Sequence, residues 1–313
     1  MIISASRRTD LPAFYSEWFM NRVRAGFVDV RNPFNRKQVS RISLQPKDVD
    51  CVVFWTKNAA PLLPYLSELE QYFPFYFQFT LNAYGRDIEP NLPERTELLH
   101  TFRTLACLLG KHRVVWRYDP IFLNERYMIK FHLENFKRLL EELHDATDCC
   151  VFSFLDFYRK TERNMRMLCP MLLDTGIMEE IAGSLALLAK DSGVKLQTCS
   201  EEINLEKFGI IRGACIEKER LETVIGGELK ISKDKTQRDV CHCVKSVDIG
   251  QYDTCCHLCR YCYANANAGT ARLNYHEHDA ASSLLSGHLC GDEKITWRKT
   301  EHLRCENEEI TLF

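Results

Sequence analysis

The sequence predicts an α/β fold: a complete or partial β/α barrel of the TIM type, with a cysteine-rich segment on its C-terminal side. Three observations lead there. Over the first two thirds of the chain, short apolar, β-rich runs alternate with long amphipathic stretches. Six such runs, each joined to the next by a helical stretch, imply parallel strands with right-handed crossovers. Each run also turns polar at its C-terminal end, and in a β/α barrel those ends share one mouth, where the active site lies. The alternation alone fits an open doubly wound sheet equally well; the polar ends favour the barrel.

The elements follow in order. Ile2-Ile3 is the first strand, and Phe14 to Ala25 is a helix because Phe14, Trp18, Phe19 and Val23 recur at helical spacing before Gly26 stops it. Residues 27–44, with Asn32-Pro33 in the middle, read as an inserted hairpin or loop. Cys51 to Trp55 is the second strand, followed by a Leu-rich amphipathic stretch from Pro61 to Tyr72. Phe75 to Leu81 precedes a helix from Glu94 to Leu109, and Arg113 to Arg117 precedes one from Tyr127 to Leu143. Cys149 to Leu155 precedes one across Met178 to Lys190, and Val194 to Cys199 closes the series. Glu217 to Val224 reads as a last helix before a Gly226-Gly227 turn. The boundaries are therefore 1–225 for the barrel, 226–272 for the cysteine-rich segment, and 273–313 for a tail without usable periodicity.

Composition bounds the function. The 313 residues carry 41 Lys and Arg against 43 Asp and Glu, a formal charge of −2. That balance argues against a general nucleic-acid or membrane-surface binder. No apolar run approaches the length of a membrane span, and the start lacks a basic-then-apolar leader, so a cytoplasmic location is expected.

Fifteen cysteines are far more than usual, and six of them, Cys241, Cys243, Cys255, Cys256, Cys259 and Cys262, fall within 22 residues. In a reducing compartment these are not mainly disulfides. Several thiolates close in sequence can reach one metal centre, and soft sulfur selects zinc, copper(I) or iron–sulfur clusters. Cys199, at the end of the sixth strand, and Cys215 complete a set of four with Cys241 and Cys243, able to hold zinc or a second cluster. Cys-x-Cys is a strained spacing for one metal, and for Cys215 an ordinary core position is about as good a reading. Cys51, Cys107, Cys149, Cys150 and Cys169 lie in apolar runs and are assigned to the core.

Cys255-x3-Cys259-x2-Cys262, with Tyr261 before the last cysteine, resembles the cluster motif of the radical S-adenosylmethionine superfamily. The resemblance implies a [4Fe-4S] cluster held by three cysteines, with its fourth iron chelated by S-adenosylmethionine. It implies reductive cleavage to a 5′-deoxyadenosyl radical that abstracts hydrogen from a substrate. More broadly, the blocks Ser6 to Asp10, Val53 to Asn58, Phe77 to Thr80, Arg117 to Pro120, Thr198 to Glu201 and Asp248 to Asn265 resemble an uncharacterised microbial family, a domain of unknown function. The Cys-x-Tyr-Cys-Tyr style is loosely similar to spore photoproduct lyase. The superfamily places its three-cysteine loop after the first strand, whereas here it follows all six. An alternative register, Cys256-x2-Cys259-x2-Cys262, matches a ferredoxin-type run but lacks the fourth cysteine, since position 266 is Ala.

Two hypotheses follow. The first is a radical S-adenosylmethionine-type enzyme acting on an unidentified small molecule or modified polymer, with an electron donor such as a flavodoxin or ferredoxin. Its metal ligands are Cys255, Cys259 and Cys262, with Cys199, Cys215, Cys241 and Cys243 as a second metal set. Tyr261 and Tyr263 are cofactor contacts, and Arg7, Asp10, Lys57, Arg117, Asp119 and Glu201 are the catalytic candidates at the mouth. Their guanidinium and ammonium groups suit an anionic substrate or the cofactor's carboxylate, although each alone is as readily part of an internal ion-pair network. The second is a barrel stapled by structural zinc or a closed cluster, with a binding or hydrolytic function at the strand ends. The two differ in whether the metal keeps an open coordination position.

Overall fold

In a computed structural model, residues 1–305 are described. Eight parallel strands form the main sheet: β1 (Ile2–Ala5), β4 (Cys51–Thr56), β5 (Phe75–Thr80), β6 (Val114–Ile121), β7 (Cys149–Phe154), β8 (Lys195–Cys199), β9 (Ile211–Gly213) and β10 (Val247–Asp248), in the spatial order β10-β1-β4-β5-β6-β7-β8-β9. All six expected strands are present. Residues 27–44 form an antiparallel hairpin of β2 (Phe27–Asn32) and β3 (Asn35–Ser43), and β11 (Lys294–Trp297), from the tail, adds to β3 in parallel.

From β1 to β9 the order never reverses, and β10 lies on the other side of β1. The crossover helices Ser16–Ala25, Arg95–Leu109, Ile129–Leu143 and Thr175–Ala189 bury their apolar stripes on one face, against Val52, Phe54, Phe77, Trp116 and Phe152. Trp116 stacks on Phe136 at 5.0 Å, and each such ring contributes about 1.5–3 kcal/mol on burial. The stretch from Pro61 to Tyr72 forms a 3-10 turn (Ala60–Tyr65) and one short helical turn (Leu66–Leu69), since Pro64 has no N–H to give a regular helix.

The opposite face is covered by the chain's own C-terminal side. Ile2, Val53, Tyr76, Val115 and Val151 pack there against Cys215, Ile216, Leu221 of the helix Lys218–Ile225, Leu229, Cys241 and Val244. The carbonyl of Cys215, two residues past β9, accepts from Tyr76 Oη at 3.0 Å and Gln78 Nε2 at 2.8 Å, both in β5. In a flat sheet β5 and β9 would stand about 19 Å apart; two residues of chain span at most about 7 Å, and side chains that rise from the sheet face add little in the lateral direction. The sheet therefore curls around that inner face. Among the described residues no pairing joins β9 to β10, and the sheet stays open. None of their helices is long and apolar enough to cross a membrane.

Candidate functional site

The three-cysteine loop reaches the strand ends through β10. This strand pairs in parallel with β1, Ile3 opposite Val247 and Ser4 opposite Asp248, so the chain that follows it emerges beside the C-terminal end of β1. A loop placed last in sequence is thus carried to the edge beside the first strand. Asp248 fixes the join: its carboxylate accepts from Ser4 Oγ at 3.0 Å, Ser6 Oγ at 2.7 Å and the Arg7 N–H at 2.8 Å. Gly250 is required by close approach, because a Cβ there would lie 2.1 Å from Ser6 Oγ.

The loop itself is held from many sides. Tyr15 Oη donates to the Thr254 carbonyl at 2.6 Å, Asn265 Nδ2 to the Cys255 carbonyl at 2.7 Å, and the Arg260 N–H to the Ile88 carbonyl at 2.9 Å. Asp253 and Leu258 adopt left-handed φ angles of 58° and 57°, which bend the loop back on itself. Cys259 and Tyr261 pack with Tyr84, Ile88, Phe122 and Met165.

Cys255, Cys259 and Cys262 are brought into mutual electrostatic reach, and burial raises all three thiols above their ordinary range. Cys256 is influenced instead by Arg272, and its carbonyl accepts from Asn91 Nδ2 at 2.8 Å. The Ala264 N–H donates to Cys262 Sγ at 3.4 Å. Such N–H donors favour the charged form of a thiolate ligand.

Around the thiols lie Asp10, Lys57 and His257. Asp10 caps the short helix Leu11–Phe14 through the Ala13 N–H at 3.0 Å, and its other oxygen accepts from the Lys57 N–H at 2.6 Å and His257 Nε2 at 2.9 Å. His257 is only 3% exposed, and its Nδ1 has no hydrogen-bond partner. Lys57 Nζ pairs with Glu89 at 2.7 Å and lies 5.4 Å from the Tyr261 ring centre. Burial opposes the Lys57 charge, but Glu89 and Cys259 outweigh it and raise its pKa. Tyr261 Oη and Asn82 Nδ2 also bond Glu89, and Asn82 joins the group to the Asp119 backbone. Glu89 and Asn82 escape the sequence reading: Asn82 lies just past a strand end, and nothing around Glu89 marks it.

The remaining mouth residues gather around Trp55, at the end of β4. Arg7 stands 5.0 Å and Arg117 5.4 Å from its ring centre. Arg117 pairs with Asp119, which in turn accepts from Ser153 Oγ. Arg117 Nη1 also reaches Gln78 Oε1 at 3.2 Å and Cys215 Sγ at 3.1 Å. Cys215 Sγ lies 2.6 Å from Cys199 Sγ, and Cys241 and Cys243 belong to the same buried cluster. Glu201 is tied to the Phe154 N–H at 2.8 Å, and burial raises it to about 7. Tyr263 hydrogen-bonds the Arg7 carbonyl at 3.3 Å and lies near both Cys262 and Arg7, linking the two groups of residues. The six catalytic candidates thus divide, Asp10 and Lys57 with the loop, Arg7, Arg117 and Asp119 around Trp55, and Glu201 at the end of β7.

Cys51, Cys149 and Cys150 are buried, whereas Cys107 and Cys169 are exposed rather than in the core. Cys107 falls on the outward face of its helix, and Cys169 follows the 3-10 turn Arg166–Leu168 with a φ of 44°.

The family model described as "Domain of unknown function (DUF1848)" matches residues 2–264. The chain belongs to this family. The match takes in the whole parallel sheet and the three-cysteine loop of this DUF1848 chain, and stops short of the helix Ala268–His276 and of β11. No curated protein and no solved structure matches the chain.

Proposed function

We propose that this DUF1848 chain is an iron–sulfur enzyme of the radical S-adenosylmethionine type, its curled sheet acting as a partial β/α barrel with the reaction at the strand ends. The observation that carries the reading is that β10 delivers the loop bearing Cys255, Cys259 and Cys262 to the C-terminal end of β1, where Cys259 is buried and Cys262 Sγ accepts from a backbone N–H. Their chemistry fits the group: one buried and two half-buried thiols, a backbone N–H donor at Cys262 Sγ, and unpartnered buried polar atoms at His257 Nδ1 and Asn265 Oδ1. As they stand, no three ligand-type side chains among the described residues are spaced to hold a single ion. A cluster sets its ligands on separate irons and asks for wider spacing.

Bound at these thiolates, a [4Fe-4S] cluster with one iron free of protein ligand supplies reductive cleavage of S-adenosylmethionine. The chain's own residues do the rest. Asp10 orients His257 and the Lys57 backbone, fixing the loop against β4. Lys57 lowers the cost of charge on Cys259 and is itself kept charged by Glu89. Trp55, Arg7 and Tyr263 offer an aromatic and cationic wall suited to an anionic ligand. The substrate is a small molecule or modified polymer taken at that wall, and electrons come from a flavodoxin or ferredoxin. The test is anaerobic incubation of reconstituted protein with dithionite and S-adenosylmethionine: 5′-deoxyadenosine is the expected product, and its absence from protein carrying a full cluster contradicts the reading.

One observation favours a second reading. His257 Nδ1, buried and without a partner, is a donor able to fill the fourth position and close the cluster. In that case the loop is a staple, and the strand-end residues carry a binding or hydrolytic role.

A further inference from the structure

We propose that Cys199 and Cys215 form a reversible disulfide, a redox-modification site at the strand ends that takes a small-molecule disulfide as its oxidant and is reset by a dithiol. The site is separate from the three-cysteine loop and does not rest on the reading given to that loop.

Cys199 is the last residue of β8 and stands opposite Gly213, the last of β9, in the parallel pairing of the two strands. Cys215 lies two residues farther on, where the chain passes from β9 into the segment that covers the inner face. The two sulfurs are 2.6 Å apart, inside the contact distance of unbonded sulfur atoms and about 0.5 Å beyond the length of a disulfide bond. Tyr76 Oη and Gln78 Nε2 both donate to the Cys215 carbonyl, so its backbone is fixed where the bond must form. The thiols are unlike: Cys199 is half-buried and open to a small reagent, whereas Cys215 is buried.

Contact between two thiols is ordinary in a core, and what sets this pair apart is the guanidinium beside it. Arg117 gives Nε and Nη2 to Asp119 Oδ2, which leaves Nη1 to reach Gln78 Oε1 at 3.2 Å and Cys215 Sγ at 3.1 Å. A cationic N–H on sulfur favours the thiolate, the form that attacks a disulfide. In the exchange, Cys199 attacks one sulfur of the small disulfide and releases one small thiol, which takes the Cys199 proton. The Cys215 thiolate then displaces the second small thiol from Cys199. Two protein S–H bonds are lost and one S–S bond forms, while the reagent's S–S bond breaks and two S–H bonds form there, so two electrons pass to the reagent. The new bond ties the end of β8 to the chain after β9 and leaves Arg117 Nη1 facing a sulfur that no longer ionises. Because Arg117 shares the Trp55 ring with Arg7, the change is felt among the strand-end residues. Cys241 and Cys243 lie in the same buried cluster and are the alternative partners that a test must separate.

The experiment incubates the full chain, purified reduced, with graded ratios of oxidised to reduced glutathione, then alkylates the free thiols and maps linked peptides by mass spectrometry. The proposal expects two of the fifteen cysteines to escape alkylation, a single link between Cys199 and Cys215, its loss on adding dithiothreitol, and a higher thermal midpoint for the linked protein. Cys199→Ser and Cys215→Ser each abolish the link, Arg117→Met slows its formation at least about tenfold, and Cys259→Ser forms it as wild type does. Because Cys215→Ser removes a buried thiol and can fail to fold, the wild-type peptide map and the half-buried Cys199→Ser carry the test. A link from either cysteine to Cys241 or Cys243, glutathione left on Cys199 without a link, or no loss of free thiols at any ratio would each overturn it. A link formed by protein that yields no 5′-deoxyadenosine would sink the radical reading alone.

Discussion

Asp10 and His257, 247 residues apart in sequence, share a 2.9 Å hydrogen bond between Oδ2 and Nε2, and both side chains are almost fully buried. The same oxygen accepts from the Lys57 N–H, so one carboxylate joins the end of β1, the end of β4 and the cysteine loop. Asp10→Ala removes a helix cap worth about 1 kcal/mol and leaves buried donors unpaired at about 1–3 kcal/mol. The expected result is a stability loss of at least about 2 kcal/mol, read by denaturant unfolding, with lower iron retention. Unchanged stability and iron would mean that the loop is held by its other contacts alone.

Gly250 meets Ser6 so closely that a Cβ would lie 2.1 Å from its Oγ and 2.6 Å from its Cβ. Gly250→Ala is expected to destabilise by about 1–3 kcal/mol, the usual cost of overpacking. Combining it with Ser6→Gly removes both atoms and recovers part of the loss. A double variant no better than the single one would point to a different cause.

The register of the loop is testable by metal content. Cys259→Ala is expected to abolish the cluster, while Cys256→Ala leaves it largely intact. Equal iron loss in both would favour the register that begins at Cys256.

His132 gives a pH prediction. Its Nδ1 faces Tyr118 Oη at 3.0 Å and its Nε2 the Phe122 carbonyl at 2.9 Å, and burial lowers its pKa to about 4 from an ordinary 6.5. The folded state therefore binds fewer protons than the unfolded state in that window. The stability it contributes is complete above about pH 6.5 and is lost as pH falls through 4, by about 3 kcal/mol at most. Unfolding curves from pH 7 to 4 should show this slope, and His132→Gln should flatten it.

Much of the fold is legible because its signals are local. The six long strands and the crossover helices announce themselves by apolar period, and Gly26 and Gly110, with φ of 76° and 86°, sit where the helices stop. The short strands β9 and β10 carry no such signal, since two or three residues show no period. Yet β10 is what brings the cysteine loop beside β1, a relation set by long-range pairing. The site divides in the same way. Cysteines are visible by spacing, and the cationic strand ends by position, but Lys57 finds Glu89 rather than one of the acids at a strand end, through a loop that sequence does not orient. Exposed Cys107 and Cys169 show the converse limit: an apolar run does not say which of its members faces out.

The central claim is an open iron at the three-cysteine loop, and low-temperature paramagnetic resonance tests it most directly. Anaerobically reconstituted, dithionite-reduced protein is recorded with and without S-adenosylmethionine. The account predicts a [4Fe-4S]⁺ signal that shifts when S-adenosylmethionine is added. A signal indifferent to it, or zinc at Cys255, Cys259 and Cys262 with no signal, would contradict the account.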